Sequence, residues 1–562
     1  MRSEQNVTAV KRRIAAAHGD VVGDVLLKNA KVVNVFNGLV EDKDILLCGD
    51  CIAGLGQYDT AETIVDLAGA FVIPGLIDSH VHIESSFLIP EEFGRAVLSR
   101  GTTAVIADPH EIANVMGTEG LDFMVENSRR TALDIFFMVP SSVPSTSMET
   151  SGAVLNSNAI AEILRKHPRC LGLGEVMNAP GVIFGDDEVL NKLSVADGKL
   201  LDGHYPLGSG RDLMAYCAAG IASDHESVSR EEAAEKLALG IMIQIREGTS
   251  AKNLETLLPL VNDDNWPNFC FCADDIHAGD ILDGGDVLGA VAKAVALGMD
   301  PVRAVQLATL NPARHYRLAY RGAVAPGYLA DFVVVDNLET FPLRMVYKNG
   351  RMITGKETAS PVRLGQITLP QTVPPFPQIQ TGQTARVIKV FPTEIITEER
   401  LYTAEAFMEH RDLQKMMVME RHGVNGNVSY ALAEGFGLQK GCIAQTVAHD
   451  SHNLIAIAAD EKEFSFAAKV LEEIGGGIAV TCGGKVLAKL ELPVAGLMTW
   501  ESAAVVAEKE AALNRAARHL GVTLPRPFMT LSFLALPVIP KLKLTDMGLF
   551  DVEQFDFVPL FF

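Results

Sequence analysis

Eight short apolar runs, each followed by a stretch of helical periodicity, fill the middle of this chain and limit its fold more than any other feature. The runs are Phe71–Ile77, Thr103–Ala107, Asp134–Val139, Cys170–Gly174, Lys199–Gly203, Gly220–Ser223, Ile241–Ile245 and Phe269–Ala273. Amphipathic segments such as Ser157–Lys166, Arg230–Leu239 and Asp286–Leu297 lie between them. Strands that alternate with helices pair in parallel through right-handed crossovers. Eight such pairs in about 250 residues match the size of a (β/α)8 barrel. A doubly wound open sheet has the same periodicity, so the residues that follow each run must decide.

Those residues are rich in metal-ligand chemistry. His80 and His82 follow the first run, and in an extended segment they face the same side. Asp108, His110 and Glu111 follow the second, Glu175 the fourth and His204 the fifth. Asp224, His225 and Glu226 follow the sixth, Arg246 and Glu247 the seventh, Asp274 and Asp275 the eighth. A barrel puts its active site at these strand ends. Imidazole with carboxylate suits Zn, Fe or Mn. Four His, one bridging carboxylate and one terminal Asp suffice for two ions, which can hold a hydroxide and polarise a substrate together. His110 reads better as a cap or hydrogen-bond partner than as a ligand.

The flanks carry further units. A candidate helix, Val7–His18, precedes the short runs Asp24–Leu27, Lys31–Asn34 and Asp44–Leu47, which read as a small β unit. Phe332–Val335 looks like a return to it, and the Pro-rich segment Pro361–Pro377 reads as a linker. The expected division is 1–71 for the first part of the small β domain and 72–320 for the barrel. Residues 321–375 form the return and linker, and 376–562 a further α+β domain. The fold class expected is α/β: a TIM-like barrel, a small β-sandwich from both flanks and a C-terminal α+β domain.

Composition excludes several partners. The formal charge of −22 and the lack of a Lys/Arg-rich run disfavour nucleic acid and anionic membranes. No stretch of 18 apolar residues reads as a transmembrane helix, and the N-terminal MRSEQNVTAVKRRIAAAHGD lacks the apolar core of a secretory signal. Eight scattered cysteines imply a reducing, cytoplasmic setting. Cys48-x-x-Cys51 has no second pair to complete a zinc site, and Cys270 and Cys272 read as packing.

The segment Pro74-Gly75-Leu76-Ile77-Asp78-Ser79-His80-Val81-His82 resembles the first-strand signature of the amidohydrolase superfamily. His80–Ser86, Ala107–Asn114 and Gly172–Asn178 are similar to its adenine deaminase branch. So are Ser223–Glu226, Arg246–Gly248, Cys272–Asp275, Asn311–Arg314, Thr446–Asn453 and Leu534–Asp551, so the likeness spans almost the whole chain. Two stretches depart from it: Gly203–Gly208, where Ala-Pro-Gly is expected after the His, and Arg421–Asn427. Many relatives bridge their metals with a carboxylated lysine, whereas Glu175 needs no modification.

The resemblance implies that His80, His82 and Asp274 bind one metal, His204 and His225 the other, and that Glu175 bridges. It implies Mn or Fe(II), with Zn allowed, hydroxide attack on C6 of adenine, and release of hypoxanthine and ammonia in purine salvage. Asp274 would move the proton. Glu84, Asp108 and Glu111 are candidates to protonate a ring nitrogen or to orient a metal-bound His. Arg246 and Glu247 could orient the base or form a structural ion pair. His449, Asp450 and His452 read as a domain or subunit interface before a metal site or a cover over the barrel mouth. A homo-oligomer, dimer or larger, is implied. The rivals are an amidohydrolase acting on another aminopurine or a cyclic amide, and a non-catalytic assembly barrel.

Overall fold

The computed structural model describes residues 7–249, 252–354, 359–392, 395–410 and 412–562. Residues 1–6, part of the stretch read as lacking a secretory signal, lie outside the described residues. The helix Val7–His18 is present.

Strands β1 (Gly23–Asn34), β2 (Leu39–Cys48), β3 (Cys51–Gly56), β4 (Ala61–Asp66) and β5 (Phe71–Pro74) open a flanking sheet. The barrel follows with β6 (Leu76–His82), β7 (Thr102–Ala107), β8 (Asp134–Pro140) and β9 (Cys170–Val176). It continues with β10 (Leu200–Gly203), β11 (Ser223–Asp224), β12 (Met242–Arg246), β13 (Phe269–Cys272) and β14 (Asp274–Asp275). β15 (Phe332–Val335), β16 (Leu343–Lys348) and β17 (Arg351–Met352) then return to the flanking sheet, where β15 pairs antiparallel with β5. Both sides of the barrel in sequence thus build one eight-stranded sheet.

The parallel barrel runs in the order β13-β12-β11-β10-β9-β8-β7-β6-β14. Its eighth strand is broken at Ala273: the first half pairs with β12 and the second half pairs with β6, which closes the ring. The run Phe71–Ile77 divides at Gly75 between the two sheets. The sixth run begins with Gly220 at φ 98, closing the preceding helix, so only Ser223 and Asp224 pair as strand. Strands such as Thr102–Ala107 and Asp134–Pro140 are buried throughout, as a sheet covered on both faces requires. Outer helices are fixed at their N-termini by Asn156, Asp186, Ser229, Asp286 and Asp300, whose side chains accept backbone N–H bonds. Each such cap is worth about 1 kcal/mol.

The C-terminal domain contains β18 (Thr384–Lys389), β19 (Glu398–Thr403), β20 (Leu413–Met419) and β21 (Val428–Glu434). β22 (Cys442–Gln445), β23 (Leu454–Ala458), β24 (Gly477–Cys482) and β25 (Lys485–Glu491) complete its eight-stranded sheet. Helices Lys462–Ile474 and Ala503–His519 pack on it. The Pro-rich segment is docked on this domain, with bridges Leu364–Val494 and Thr368–His422.

The domain is fastened to the barrel mouth. Thr499 N–H donates to Phe87 O (2.7 Å) and Ile89 N–H to Thr499 O (3.0 Å). Phe87 and Leu88 share one buried cluster with Val494, Leu497 and Met498. Burying each such side chain contributes about 1.5–3 kcal/mol, against about 1 kcal/mol net per hydrogen bond, so apolar packing dominates the attachment.

Candidate metal centre

The mouth of the barrel gathers His80, His82, Glu175 and Asp274 into one buried group and Glu175, His204 and His225 into another. Glu175 joins them. Its Oε1 lies 3.2 Å from His80 Nε2, 3.5 Å from His82 Nε2, 3.4 Å from His204 Nδ1 and 2.9 Å from His225 Nε2. Asp274 Oδ1 is 3.1 Å from His82 Nε2 and 3.6 Å from His80 Nε2.

Local backbone geometry explains the convergence. His80 and His82 are i and i+2 on β6, and their Nε2 atoms stand 3.1 Å apart. The Asp108 carbonyl oxygen lies 2.9 Å from His82 Nδ1, so that nitrogen holds the ring proton and Nε2 presents a lone pair. Asp274 has φ 59, directly after the break in strand eight, which turns it inward. Arg246 Nη1 donates to Asp274 Oδ2 at 2.8 Å and also pairs with Glu226. Glu226 Oε1 in turn lies 3.3 Å from His225 Nε2.

Without an ion, protons are the only partners for these facing lone pairs. Burial pulls His80 down, but hydrogen bonds to Asp274 and Glu175 outweigh it and raise its pKa to about 10. Burial likewise opposes, and Glu226 and Glu175 outweigh it, in raising His204 to about 9. Burial would raise Glu175, yet His82 and His204 hold it well below the usual carboxylate range. Glu175 Oε2, His80 Nδ1 and His225 Nδ1 are buried without a hydrogen-bond partner among the described residues. Buried orphans of this kind, all nitrogen and oxygen, fit divalent metal ions.

The remaining candidates fall around this centre. His110 opens the helix His110–Asn127, and its Nδ1 is 3.4 Å from Glu175 Oε2, so it borders the donor cluster as well as starting a helix. The Asp108 carboxylate has no hydrogen-bond partner and occupies the space that a Cβ on Gly174 would fill. Glu84 Oε1 accepts from Ile112 N–H at 3.2 Å. Burial, with Glu111 adding to it, pushes Glu84 up to about 7. Glu247 turns away to Lys293 (3.1 Å), whereas Arg246 stays at the site. Cys270 and Cys272 are buried in β13.

Glu111 meets the C-terminal domain. Its Oε1 is 3.0 Å from His449 Nδ1, and its Oε2 contacts His452 Nε2. The interface reading of this tail motif and its contact with the mouth are therefore the same fact. This trio also brings three donors together, but His452 is poorly set for a metal. Ala448 N–H donates to its Nδ1 at 3.1 Å, which leaves the ring proton on Nε2, facing Glu111. Burial outweighs Glu111 and lowers His452, while Glu111 outweighs burial and raises His449 to about 9. Asp450 joins neither group, lying 3.9 Å from His449 Nδ1.

The sequence placed Arg246 at the mouth, as a base-orienting group or an ion-pair partner, but gave Glu226 no role; the structure sets Arg246 against Asp274 and Glu226, and Glu226 against His225. Sequence reasoning gave no sign of Gln445 and Phe528, which help to line the cleft between the mouth and the C-terminal domain.

Residues 71–353 match the amidohydrolase family, and residues 392–556 match the adenine deaminase C-terminal domain. An adenine deaminase of Dehalococcoides mccartyi is 44% identical over 98% of this chain and 99% of its own length. One from Desulfatibacillum aliphaticivorans is 45% identical over the same shares. A crystal structure of an adenine deaminase overlaps 59% of this chain and 99% of its own at 17% identity and a TM-score of 0.45. On its full-length sequence relatives and both matched domains, the chain belongs to the adenine deaminase family of amidohydrolases.

Proposed function

We propose that this chain hydrolyses adenine to hypoxanthine and ammonia, using two divalent ions held by His80, His82, Glu175, His204, His225 and Asp274. The observation that carries the reading is Glu175 Oε1, within 2.9–3.5 Å of a ring nitrogen of four histidines. When bound, the ions supply Lewis-acid chemistry that activates water at neutral pH. The donor set suits Mn or Fe(II), with Zn also accommodated.

The protein's own groups manage the protons. Burial would raise Asp274, but Arg246 and the hydrogen bonds from His80 and His82 keep it ionised. Its Oδ1 can therefore take a proton from the attacking water and deliver it to the departing amino group. Glu84, at about 7, can lend a proton to the ring nitrogen beside C6 and recover the remaining proton of the attacking water as the carbonyl forms and ammonia leaves. Adenine and water in, hypoxanthine and ammonia out, leaves both carboxyls as they began. Such a reaction serves purine salvage, and free buried thiols such as Cys270 and Cys442 support work in the cytoplasm.

The test is ammonia release from adenine by manganese-loaded against metal-stripped protein. Metal-dependent release from adenine, absent with adenosine, is expected. No release from protein that binds two metal equivalents would overturn the reading and favour another aminopurine or a cyclic amide.

A further inference from the structure

The cleft between the barrel mouth and the C-terminal domain has apolar walls, including Phe87, Val447, Leu497 and Phe528, and polar groups on both sides. Glu84 and Glu111 belong to the barrel side. His110 links that side to the metal centre, with Nε2 3.6 Å from Glu111 Oε1 and Nδ1 3.4 Å from Glu175 Oε2. Gln445, at the end of β22, belongs to the other side and is 1% exposed.

The Gln445 amide has a fixed orientation. Its Nε2 donates to Val447 O at 2.6 Å and to Phe528 O at 2.9 Å. A flipped amide would set its oxygen against both carbonyls, so the assignment is unambiguous. Its Oε1 is left buried with no hydrogen-bond partner among the described residues. A buried acceptor without a donor is a standing cost that native structures rarely carry. Gln445 therefore lacks one N–H donor, on the C-terminal-domain side of the cleft that it lines.

We propose that Gln445 Oε1 accepts the imidazole N–H of a free purine base, which makes it the residue that separates bases from nucleosides. This rests on the reading of the chain as a purine deaminase. A free base carries an imidazole proton on N7 or N9, and an N9-substituted purine carries none. The walls from Phe528, Val447 and Leu497 suit the flat apolar faces of the ring. Substitution at N9 both removes the donor and leaves Gln445 Oε1 buried and unpaired, the situation in which a site discriminates most strongly.

The test is a two-by-two binding cycle on the manganese-loaded enzyme, with hypoxanthine and 9-methylhypoxanthine as non-reacting ligands and Gln445→Leu as the variant. Wild type is expected to bind hypoxanthine at least about 10-fold more tightly than its 9-methyl form. Gln445→Leu is expected to weaken hypoxanthine by about 10–100-fold and the methylated base by less than about 3-fold. Equal losses for both ligands would make Gln445 a brace for Val447 and Phe528 and overturn the proposal. Should the variant not fold, equal wild-type affinities for the two ligands would overturn it alone. Adenine turnover, read separately as ammonia, divides the remaining outcomes. Turnover without coupling sinks only the role of Gln445, and coupling without turnover sinks only the reaction.

Discussion

Two carboxylates at the barrel mouth look alike and are held for different work. Glu175 and Glu111 are both buried, 3% and 2% exposed, and both are wrapped by histidines. Around Glu175 the histidines come from the barrel. His82 is oriented by a carbonyl acceptor on Nδ1, so its Nε2 lone pair faces inward. Around Glu111 the two nearest come from the C-terminal domain, and a backbone N–H on His452 Nδ1 reverses that polarity. The hydrogen bond on the far ring nitrogen thus decides whether an imidazole offers a lone pair or a proton. One cluster gathers donors for a cation, and the other fixes an anion.

The largest test of that contrast is Glu175→Gln. Its metal affinity should fall by at least about 100-fold, with turnover lost in parallel, as read by metal analysis and ammonia release. Two bound metals in that variant would refute the bridging role. Asp274→Asn comes next: about 10²–10⁴-fold lower kcat in protein with an unchanged melting temperature. Near-normal kcat would remove Asp274 from proton transfer. Glu111→Gln should keep both metals and lose about 10–100-fold in kcat/KM, because it touches the clamp rather than the centre. Loss of metal there would erase the distinction between the clusters.

The smallest effect concerns Glu149, a third carboxylate held by the segment that carries His449 and His452. It accepts from Ser145 Oγ (2.9 Å) and Ser451 Oγ rather than from a histidine. Burial, with Asp450 adding to it, raises Glu149 to about 8. A raised folded pKa means that its neutral form is favoured. Its contribution is full below about pH 4.5 and is lost as pH rises through about 8. Glu149→Gln should therefore gain at least about 2 °C in melting temperature relative to wild type between pH 5 and pH 8.5. A constant difference across that range would show Glu149 to be ionised throughout.

The barrel was legible because fully buried parallel strands are short apolar runs, and because the barrel puts its chemistry directly after them. His80, His82, Glu175, His204, His225 and Asp274 each stand at such a position, and the structure brings them together. The break at Ala273 was not legible, since Phe269–Asp275 carries no Gly or Pro to mark it. Nor was the clamp on Glu111. His449 lies more than 300 residues along the chain, and only the docking of a separate domain makes the two neighbours. The tautomer of His452 depends on one backbone N–H and has no sequence signature at all.

The broken eighth strand ties occupancy of the centre to closure of the barrel. Asp274 pairs with Val81 and Asp275 with His82, so the seam that shuts the ring runs between the residues proposed to share a metal. An ion gripped from both sides would act as a rivet across that seam. Loading the centre should slow amide exchange on both sides of the seam before it changes exchange anywhere else in the barrel wall. Emptying it should let the ring breathe first at this joint, where the backbone of Asp274 already sits at φ 59.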